Sequence, residues 1–470
     1  MEDWAGAWLE DQRAAGVTRL EVKIISGAHY VYDSTTVWDK TLKKRLKRST
    51  YLGRLDPVLG LVEGKKQMPA TTVVSIKEEG NALLLDRMFE DLWEPLENAF
   101  PVDQAEIYAM AVLKALQPTP LSLARTRWDK IADVHGLDPN LEPRHLADMY
   151  RRVGLDREAQ DVLFRALAID GKELIYDLSS IFSRSGDVNL AEKGYNPDHV
   201  NLRQINMALV CSADRGLPTM VRALPGSVKD VRTVYASMLE LGVKGKILVM
   251  DRGFFSIELF QFLEANGLDY VVPAHRSNTL YEKAELGDGE FVHRDKLIRF
   301  GKIWCEGRYL YLFENTVMRL EEETELSRKV IAGAISKEEK KVEMQRAGRF
   351  LIVSSLDREP EDIYLIYKRR DKVEKQFERW KSDLEADAMH LQETASVFGH
   401  FFISFLSLYM LAKLENAIRD AGMLKHWSTR QVIEEYSKAY LLKGSGGPVR
   451  YEVPKKVKDL DKKLGFRLLP

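Results

Sequence analysis

The segment that most constrains this chain is Lys246-Ile-Leu-Val-Met-Asp251, four consecutive apolar residues closed by an acid. An apolar run without alternation forms a strand only where both faces of its sheet are covered, so helices must pack on either side. The neighbouring sequence supplies them. Lys172-Glu-Leu-Ile-Tyr-Asp-Leu178 reads as a strand ending in polar residues. Residues 206–213 and 217–224 read as two more, joined by a turn at Asp214-Arg215-Gly216. Helical spacing near 231–241 and 256–265 brackets the apolar run, and 269–273 is another strand. Three consecutive strands followed by alternating helix and strand predict an α/β fold, a mixed sheet flanked by helices.

The rest of the chain is organised around that core. Thr18-Arg-Leu-Glu-Val-Lys-Ile-Ile25 alternates, Gly27 breaks the pattern, and His29 to Tyr32 resumes it. Residues 1–80 are therefore a strand-rich segment with a β-hairpin and a basic run. From 81 to 168, Leu, Ala and Met recur three and four apart between Pro-rich joints at 118–120 and 139–143, which predicts a helical region. Between 275 and 350, short alternating runs such as Gly307-Arg-Tyr-Leu-Tyr-Leu-Phe313 give way to charged helical sequence. This predicts a β-rich insertion with its own strands. Residues 349–356 are strand-like again and a long helix begins at 361, so the core comprises 169–274 and 351–420. Residues 421–470 read as a basic helical tail.

Composition narrows the class. At 470 residues, 45% apolar and 30% charged, the chain is too long for one compact core and too apolar for a disordered one. Cys211 and Cys305 lie far apart with no C-x-x-C pair, so neither a zinc site nor a disulfide framework is expected, and a reducing cytoplasm is the default. No signal peptide is visible, and the apolar stretch 397–412 reads as a buried helix short of a membrane span. The net charge of −1, from 70 basic and 71 acidic residues, argues against a nucleic-acid partner until its distribution is considered. Residues 40–48 (KTLKKRLKR) hold six basic residues and no acid, and 438–467 hold nine against three. Lys43, Lys44, Arg45, Lys47 and Arg48 are thus candidate contacts to a polyanion, or a solvated face.

Three acids stand where an α/β sheet presents side chains to a ligand. Asp177 follows the strand Leu174-Ile175-Tyr176, and Asp251 ends the strand Ile247-Leu248-Val249-Met250. Carboxylates aimed from strand ends into one crevice suit hard divalent cations, although an Asp after a strand also caps turns. The third acid lies in Ile366-Tyr-Lys-Arg-Arg-Asp-Lys-Val-Glu-Lys-Gln-Phe-Glu-Arg-Trp-Lys381. At about 100° per residue, Tyr367, Arg370, Glu374 and Lys381 fall at about 0°, 300°, 340° and 320°, within a stripe of about 60° on one helix. A carboxylate flanked by a guanidinium, an ammonium and a phenol can hold a cation and clamp phosphates beside it. The same pattern also suits a solvated charged face. The nine His residues show no metal-ligand spacing, and no Ser/His/Asp or Cys/His arrangement competes with the acids.

The spacing Tyr367-x2-Arg370-x3-Glu374-x6-Lys381 resembles the Y-R-E-K signature of insertion-sequence DDE transposases. Asp177-Leu-Ser-Ser180 resembles that family's first-Asp block, and Met250-Asp251-Arg-Gly-Phe254 its second. Pro225-Gly226-Ser227 with Asp230 and Thr233 resembles its PGN-x-x-D-x-x-T stretch, Ser227 replacing the usual Asn. The blocks occur in family order over roughly 170–415, and Tyr51-Leu-Gly-Arg-Leu-Asp56 resembles the post-hairpin segment of some members.

The resemblance implies an RNase H-like core, interrupted by the insertion, in which Asp177, Asp251 and Glu374 are catalytic and bind two Mg²⁺ ions, or Mn²⁺ in their place. It implies a DNA transposase that cuts transposon ends with water and joins the freed 3′-OH to target DNA, or first to the opposite strand as a hairpin. Tyr367, Arg370 and Lys381 would grip the DNA. Trp304, in the insertion, would stack on a displaced base, with burial as the alternative for such a side chain. The implied partners are double-stranded DNA, as terminal inverted repeats and target, and a second copy of the chain across a pair of ends; no membrane is involved. The basic run and region 81–168 are expected to bind the ends. Two alternatives stay open: a captured derivative that binds DNA without cutting, and a metal-dependent nuclease of the same fold.

Overall fold

The computed structural model describes residues 3–39, 43–57, 60–63, 73–169, 171–182, 188–194, 202–228, 231–386, 391–444 and 447–469. The chain divides into two compact units, Met1–Ser75 with Leu442–Val449, and Ile76–Leu441 with Arg450–Pro470. In the first, the helix Asp3–Ala14 packs on the strand Leu20–Ile25. Ser26 and Gly27 then turn the chain with φ of 50° and 79°, the pair of positive values a type I′ hairpin requires. Ala28–Asp39, Lys44–Asp56 and Gly60–Glu63 complete an antiparallel sheet in chain order. Its core is small: Ala5, Val31 and Leu55, packed by Trp4, Trp8 and Leu52. The two middle strands outrun their neighbours. Leu20–Ile25 pairs as far as Asp33 and Gly60–Glu63 back to Gly53, so among the described residues those between pair with each other alone.

In the second unit, the strand Glu173–Phe182 lies within a ten-stranded mixed sheet. Beside it Arg203–Ser212 runs antiparallel, followed by Pro218–Pro225, again antiparallel to its neighbour. On its other side Ile247–Met250 and then Asp269–Pro273 run parallel to it. All four residues of Ile247–Met250 are buried, as an unalternated apolar run demands. Arg349–Ser354 adds antiparallel to Asp269–Pro273, and Arg308–Asn315, Lys296–Cys305 and Gly289–His293 follow beyond it. The strands of the expected 275–350 insertion extend the core's own sheet.

The helices over 80–168, expected to stand as an end-binding region, share one apolar core with this sheet. Gln104–Leu116 is buried almost all round, and the helix Thr394–Asp420 packs on it, on Pro143–Leu155 and on the strand Pro218–Pro225. That long helix has a window of mean hydropathy 1.6, long and apolar enough to cross a membrane, yet 83% of the window is buried inside the protein. It is a core helix, apolar all round because protein surrounds it. Its crossing with Pro143–Leu155 depends on two glycines. A Cβ at Gly399 would meet the Tyr150 carbonyl oxygen at 2.0 Å, and one at Gly154 the Ala395 carbonyl oxygen at 2.0 Å. The stretch read as a C-terminal tail contains two helices, Thr429–Tyr436 and Lys455–Leu464, and two short strands, with Tyr436, Val457 and Leu460 buried.

Candidate active site

Asp177 sits in mid-strand rather than at a strand end, because Glu173–Phe182 continues past it. Its neighbour makes the opening. The parallel strand pairs Met250 with Tyr176 and stops there, so the chain leaves the sheet at Asp251, level with Asp177. The pleat sends Tyr176 and Asp177 to opposite faces. Tyr176 Oη donates to Thr233 Oγ1 at 2.9 Å, which ties the helix Arg232–Leu241 to the first face. Asn206 Nδ2 donates to the carbonyls of Gly226 and Val228 at 3.1 and 2.7 Å and so pins the Pro225-Gly226-Ser227 turn. Asp230 lies outside the described residues.

Glu374 arrives from the other direction. The single long helix expected from 361 is two helices, Pro360–Lys368 and Asp371–Ser382. Between them Arg370 N bonds Tyr367 O, Lys372 N bonds Arg369 O and Val373 N bonds Arg370 O, each at 3.0 Å. These i→i+3 bonds make a tight 3₁₀-like step, so the one continuous stripe is broken before Arg370. Arg370 caps the second helix and remains one turn from Glu374. That helix is braced on the hairpin turn 213–216: Lys372 Nζ donates to Ala213 O at 2.6 Å and Gln376 Nε2 to Gly216 O at 3.0 Å. Val373, Phe377 and Trp380 fill its buried face.

Arg370 spans the site. Its Nη1 donates to Asp177 Oδ2 at 3.0 Å and its Nη2 to Glu374 Oε1 at 2.5 Å, while the Tyr367 phenol lies near the same guanidinium. Burial pushes the Asp177 carboxyl up to about 6; Arg370 opposes the shift, and Asp251 and Glu374 add to it. Burial also works against the Arg370 charge, but Asp177, Asp251, Tyr367 and Glu374 together outweigh it and its pKa rises. Two carboxylates thus share one guanidinium, and the third, Asp251, is near enough to act on its charge. The donor set is all hard oxygen, and the shortage of positive charge is one that divalent cations would fill.

Residues 165–410, more than half of the chain, match the transposase DDE domain family. The chain belongs to that family. It is a DNA transposase, an enzyme that cleaves DNA and transfers strands. No curated protein matches the sequence. Among solved structures, the cryo-EM structure of a piggyBac transposase synaptic complex with hairpin DNA is similar at 12% identity. The similarity covers 76% of this chain and 79% of that one, with a TM-score of 0.39.

The transposase gathers five of the nominated residues, Tyr367, Arg370, Glu374, Asp177 and Asp251, and spreads the others. Lys381 is exposed in the last turn of the Glu374 helix, about 10 Å beyond Glu374 along its axis. Trp304 is 56% exposed, which removes the buried alternative, and its ring lies 4.5 Å from that of Tyr309. It is four strands across the sheet from Ile247–Met250, about 19 Å at the usual spacing. Lys43, Lys44, Arg45, Lys47 and Arg48 belong to the first unit and are exposed there.

Two features escaped the sequence reading. Lys368, Arg369, Lys372 and Lys375 line a groove of about 600 Å³ beside the Glu374 helix, in which acids such as Asp214, Asp371 and Glu415 are interspersed. The basic density of 366–381 was its signal, hidden because these positions lie off the stripe. The second is Asp103, Glu106 and His145, the group among the described residues whose possible metal-ligand atoms all lie within 4.8 Å of one another. Arg152 already holds Asp103, and Glu106 accepts from Asn140 N at 2.8 Å. This group braces a helix joint.

Proposed function

We propose that Asp177, Asp251 and Glu374 are the catalytic carboxylates of an RNase H-like core and hold two Mg²⁺ ions, or Mn²⁺ in their place. The transposase then cuts the terminal inverted repeats of its own element as a homodimer, acting on chromosomal DNA in the cytoplasm, and joins the 3′ ends to target DNA. One observation carries this reading: acids 197 residues apart in sequence, Asp177 and Glu374, meet at one guanidinium where the Asp251 strand ends. The ions would supply Lewis-acid stabilisation of the attacking and leaving oxygens. The chain supplies rigidity. Asp177 is fixed in a buried strand, Asp251 by the end of its neighbour, and Glu374 by a helix braced at its first and second turns. With its carboxyl titrating near 6, Asp177 is ionised at neutral pH and loses its charge as the medium turns acid. Arg370 presents two N–H donors toward the carboxylates and is placed to hold a phosphate oxygen beside them. Tyr367 orients that guanidinium, and Lys381 meets the backbone two helical turns on.

The experiment is cleavage of plasmid-borne DNA flanking the gene by purified protein and Mg²⁺. Nicks should map to inverted repeats. Asp177→Asn, Asp251→Asn and Glu374→Gln should each abolish them while end binding persists, since phosphate contacts elsewhere still position the DNA. Full cleavage by Glu374→Gln would sink the assignment.

A further inference from the structure

We infer that the two-stranded ribbon of the first unit enters the major groove of duplex DNA and reads base edges there. This rests on the transposase reading above and names the element that recognises sequence. The ribbon is what remains of the hairpin Ala28–Asp39 and Lys44–Asp56 once the outer strands of the sheet have ended at Asp33 and Gly53. Thr35, Thr36, Val37 and Trp38 are exposed on one strand, and Lys44, Arg45, Lys47, Arg48 and Ser49 on the other. A ribbon that buries so little is marginal in water by itself, and its bare edges would invite another strand unless charge prevented it.

Charge decides the partner. Residues 34–50 hold six basic residues, Lys40, Lys43, Lys44, Arg45, Lys47 and Arg48, against the single acid Asp39, in a chain of net charge −1. Lys47 is paired with Glu21 at 2.7 Å. Lys43, Lys44, Arg45 and Arg48 have no ion-pair partner among the described residues. A second copy of the ribbon would set like charges side by side, which destabilises strand pairing; a polyanion would neutralise them.

Shape then decides the groove. A two-stranded ribbon fits the major groove, about 12 Å wide, without deforming the duplex, whereas the minor groove at about 6 Å must first be widened, at a cost in DNA deformation. The five residues 34–38 span about 16 Å, or about five base pairs at about 3.4 Å each. Register sorts the side chains. Trp38 faces Arg45, Thr36 faces Lys47 and Ser34 faces Ser49 across the strands, so these six share one side of the ribbon. Val37 with Leu46 and Thr35 with Arg48 share the other. The root of the first side is fixed, because Lys47 Nζ donates to Glu21 Oε1 at 2.8 Å and Ser34 Oγ to the other oxygen, Oε2, at 2.7 Å. Beyond that root stand Arg45 and Thr36, donors suited to base edges, and an Arg fork matches guanine O6 and N7. Arg48 and Lys44 project from the opposite side, toward the phosphates that wall the groove.

The test uses the full-length protein, a duplex taken from the DNA flanking its gene and a scrambled duplex of the same length, read by fluorescence anisotropy across a salt series. Arg45→Ala should weaken the flanking duplex about tenfold to a hundredfold and leave the scrambled one unchanged. Arg48→Ala should weaken both equally and lower the salt slope by about one. Replacing guanine by 7-deazaguanine removes an acceptor found only in the major groove. It should reproduce the Arg45→Ala loss in the wild type and add nothing in the Arg45→Ala protein. All these positions are exposed, and unchanged circular dichroism confirms the fold. The inference is overturned if wild type binds both duplexes equally, or if a Lys44→Ala, Arg45→Ala, Arg48→Ala protein binds as wild type does. It is overturned too if that protein changes oligomeric state with DNA affinity intact, which would make the ribbon a protein contact. Cutting separates the two readings. Normal binding by the ribbon variants alongside Asp177→Asn protein that cannot cut removes the ribbon alone; wild type that binds but never cuts removes the carboxylate assignment alone.

Discussion

Asp177→Asn should make the transposase more stable at neutral pH while destroying its cleavage. The side chain is buried, and burial lifts its carboxyl from 3.8 to about 6 even though Arg370 lies 3.0 Å away. Holding it ionised at pH 7 therefore costs about 3 kcal/mol, at about 1.4 kcal/mol per pH unit between the unfolded and folded values. The sign follows from proton counting. Between pH 3.8 and about 6 the folded state binds more protons at Asp177 than the unfolded state does, so wild-type stability falls as pH rises through that window and is flat above it. The amide keeps the shape, still accepts from the Arg370 guanidinium, and carries no charge to bury. The gain from the substitution should thus be near zero below pH 3.8, grow to about 3 kcal/mol by pH 6 and stay there at pH 8. Urea unfolding of both proteins in chelator-treated buffer, repeated from pH 3.5 to 8, measures it. Added Mg²⁺ should then raise the wild-type midpoint and leave that of the Asp177→Asn protein in place, because only wild type retains the ligand. A variant no more stable than wild type at pH 7, or a gain that does not vanish in acid, refutes the argument that this carboxylate is held against its solvation.

Arg370→Ala should lower stability by about 2 kcal/mol at pH 7, read from the urea midpoint, since it strands the buried Asp177 charge without its partner. It should also lower the Mn²⁺ concentration that half-saturates the site, by about tenfold in paramagnetic titration, because the guanidinium no longer competes for Asp177 and Glu374. Glu314, 1% exposed between Arg319 at 3.0 Å and Arg349 at 2.9 Å, should cost about 3 kcal/mol on substitution by Ala. Burial opposes the charge of Glu314, but the two arginines win and lower its pKa below 4.5, so wild type should lose stability as pH falls through that lowered value and Glu314→Ala should not. Gly399→Ala should drop the melting temperature sharply, a loss of about 3 kcal/mol, because the new Cβ meets backbone at 2.0 Å and the helices must separate.

The sheet was legible where residues repeat with a period and are buried on both faces. The strands read at 172–178, 206–213, 217–224, 246–251 and 269–273 all have counterparts within a few residues. What the pattern could not show was where a strand stops relative to its neighbour. Asp177 looked terminal because polar residues follow it, yet Leu178, Ser179 and Ser180 stay in the strand by pairing with Ala208, Met207 and Asn206. Asp251 looked terminal and is. The helix Asp3–Ala14 was not foreseen, since its buried face amounts to little more than Ala5 and Leu9. The region 81–168 looked self-contained because helices carry their own periodicity. The residues they pack against, such as Ser407, which bonds Ala111 O at 2.9 Å, lie some three hundred positions later. Periodicity reports that a face is buried, not what buries it.

The broken stripe makes the same point at the site, and it explains why the site holds together. A straight helix through 361–381 would aim successive arginines about 100° apart along one rod. The 3₁₀-like step instead sends two adjacent arginines to two points on a single strand. Arg369 reaches Glu173 and Asp214, and Arg370 reaches Asp177, four residues and about 13 Å further along. Two fastenings on one strand fix both the position and the direction of the helix that follows. Glu374, one turn on, then needs no contact with the sheet to be placed against Asp177; the helix carries it there. Of the two fastenings, only the Arg370 one uses the carboxylates that divalent cations would claim. In the proposed site Arg369 would keep the helix seated if Arg370 let go of Asp177 for a phosphate, and the third carboxylate would stay in its place.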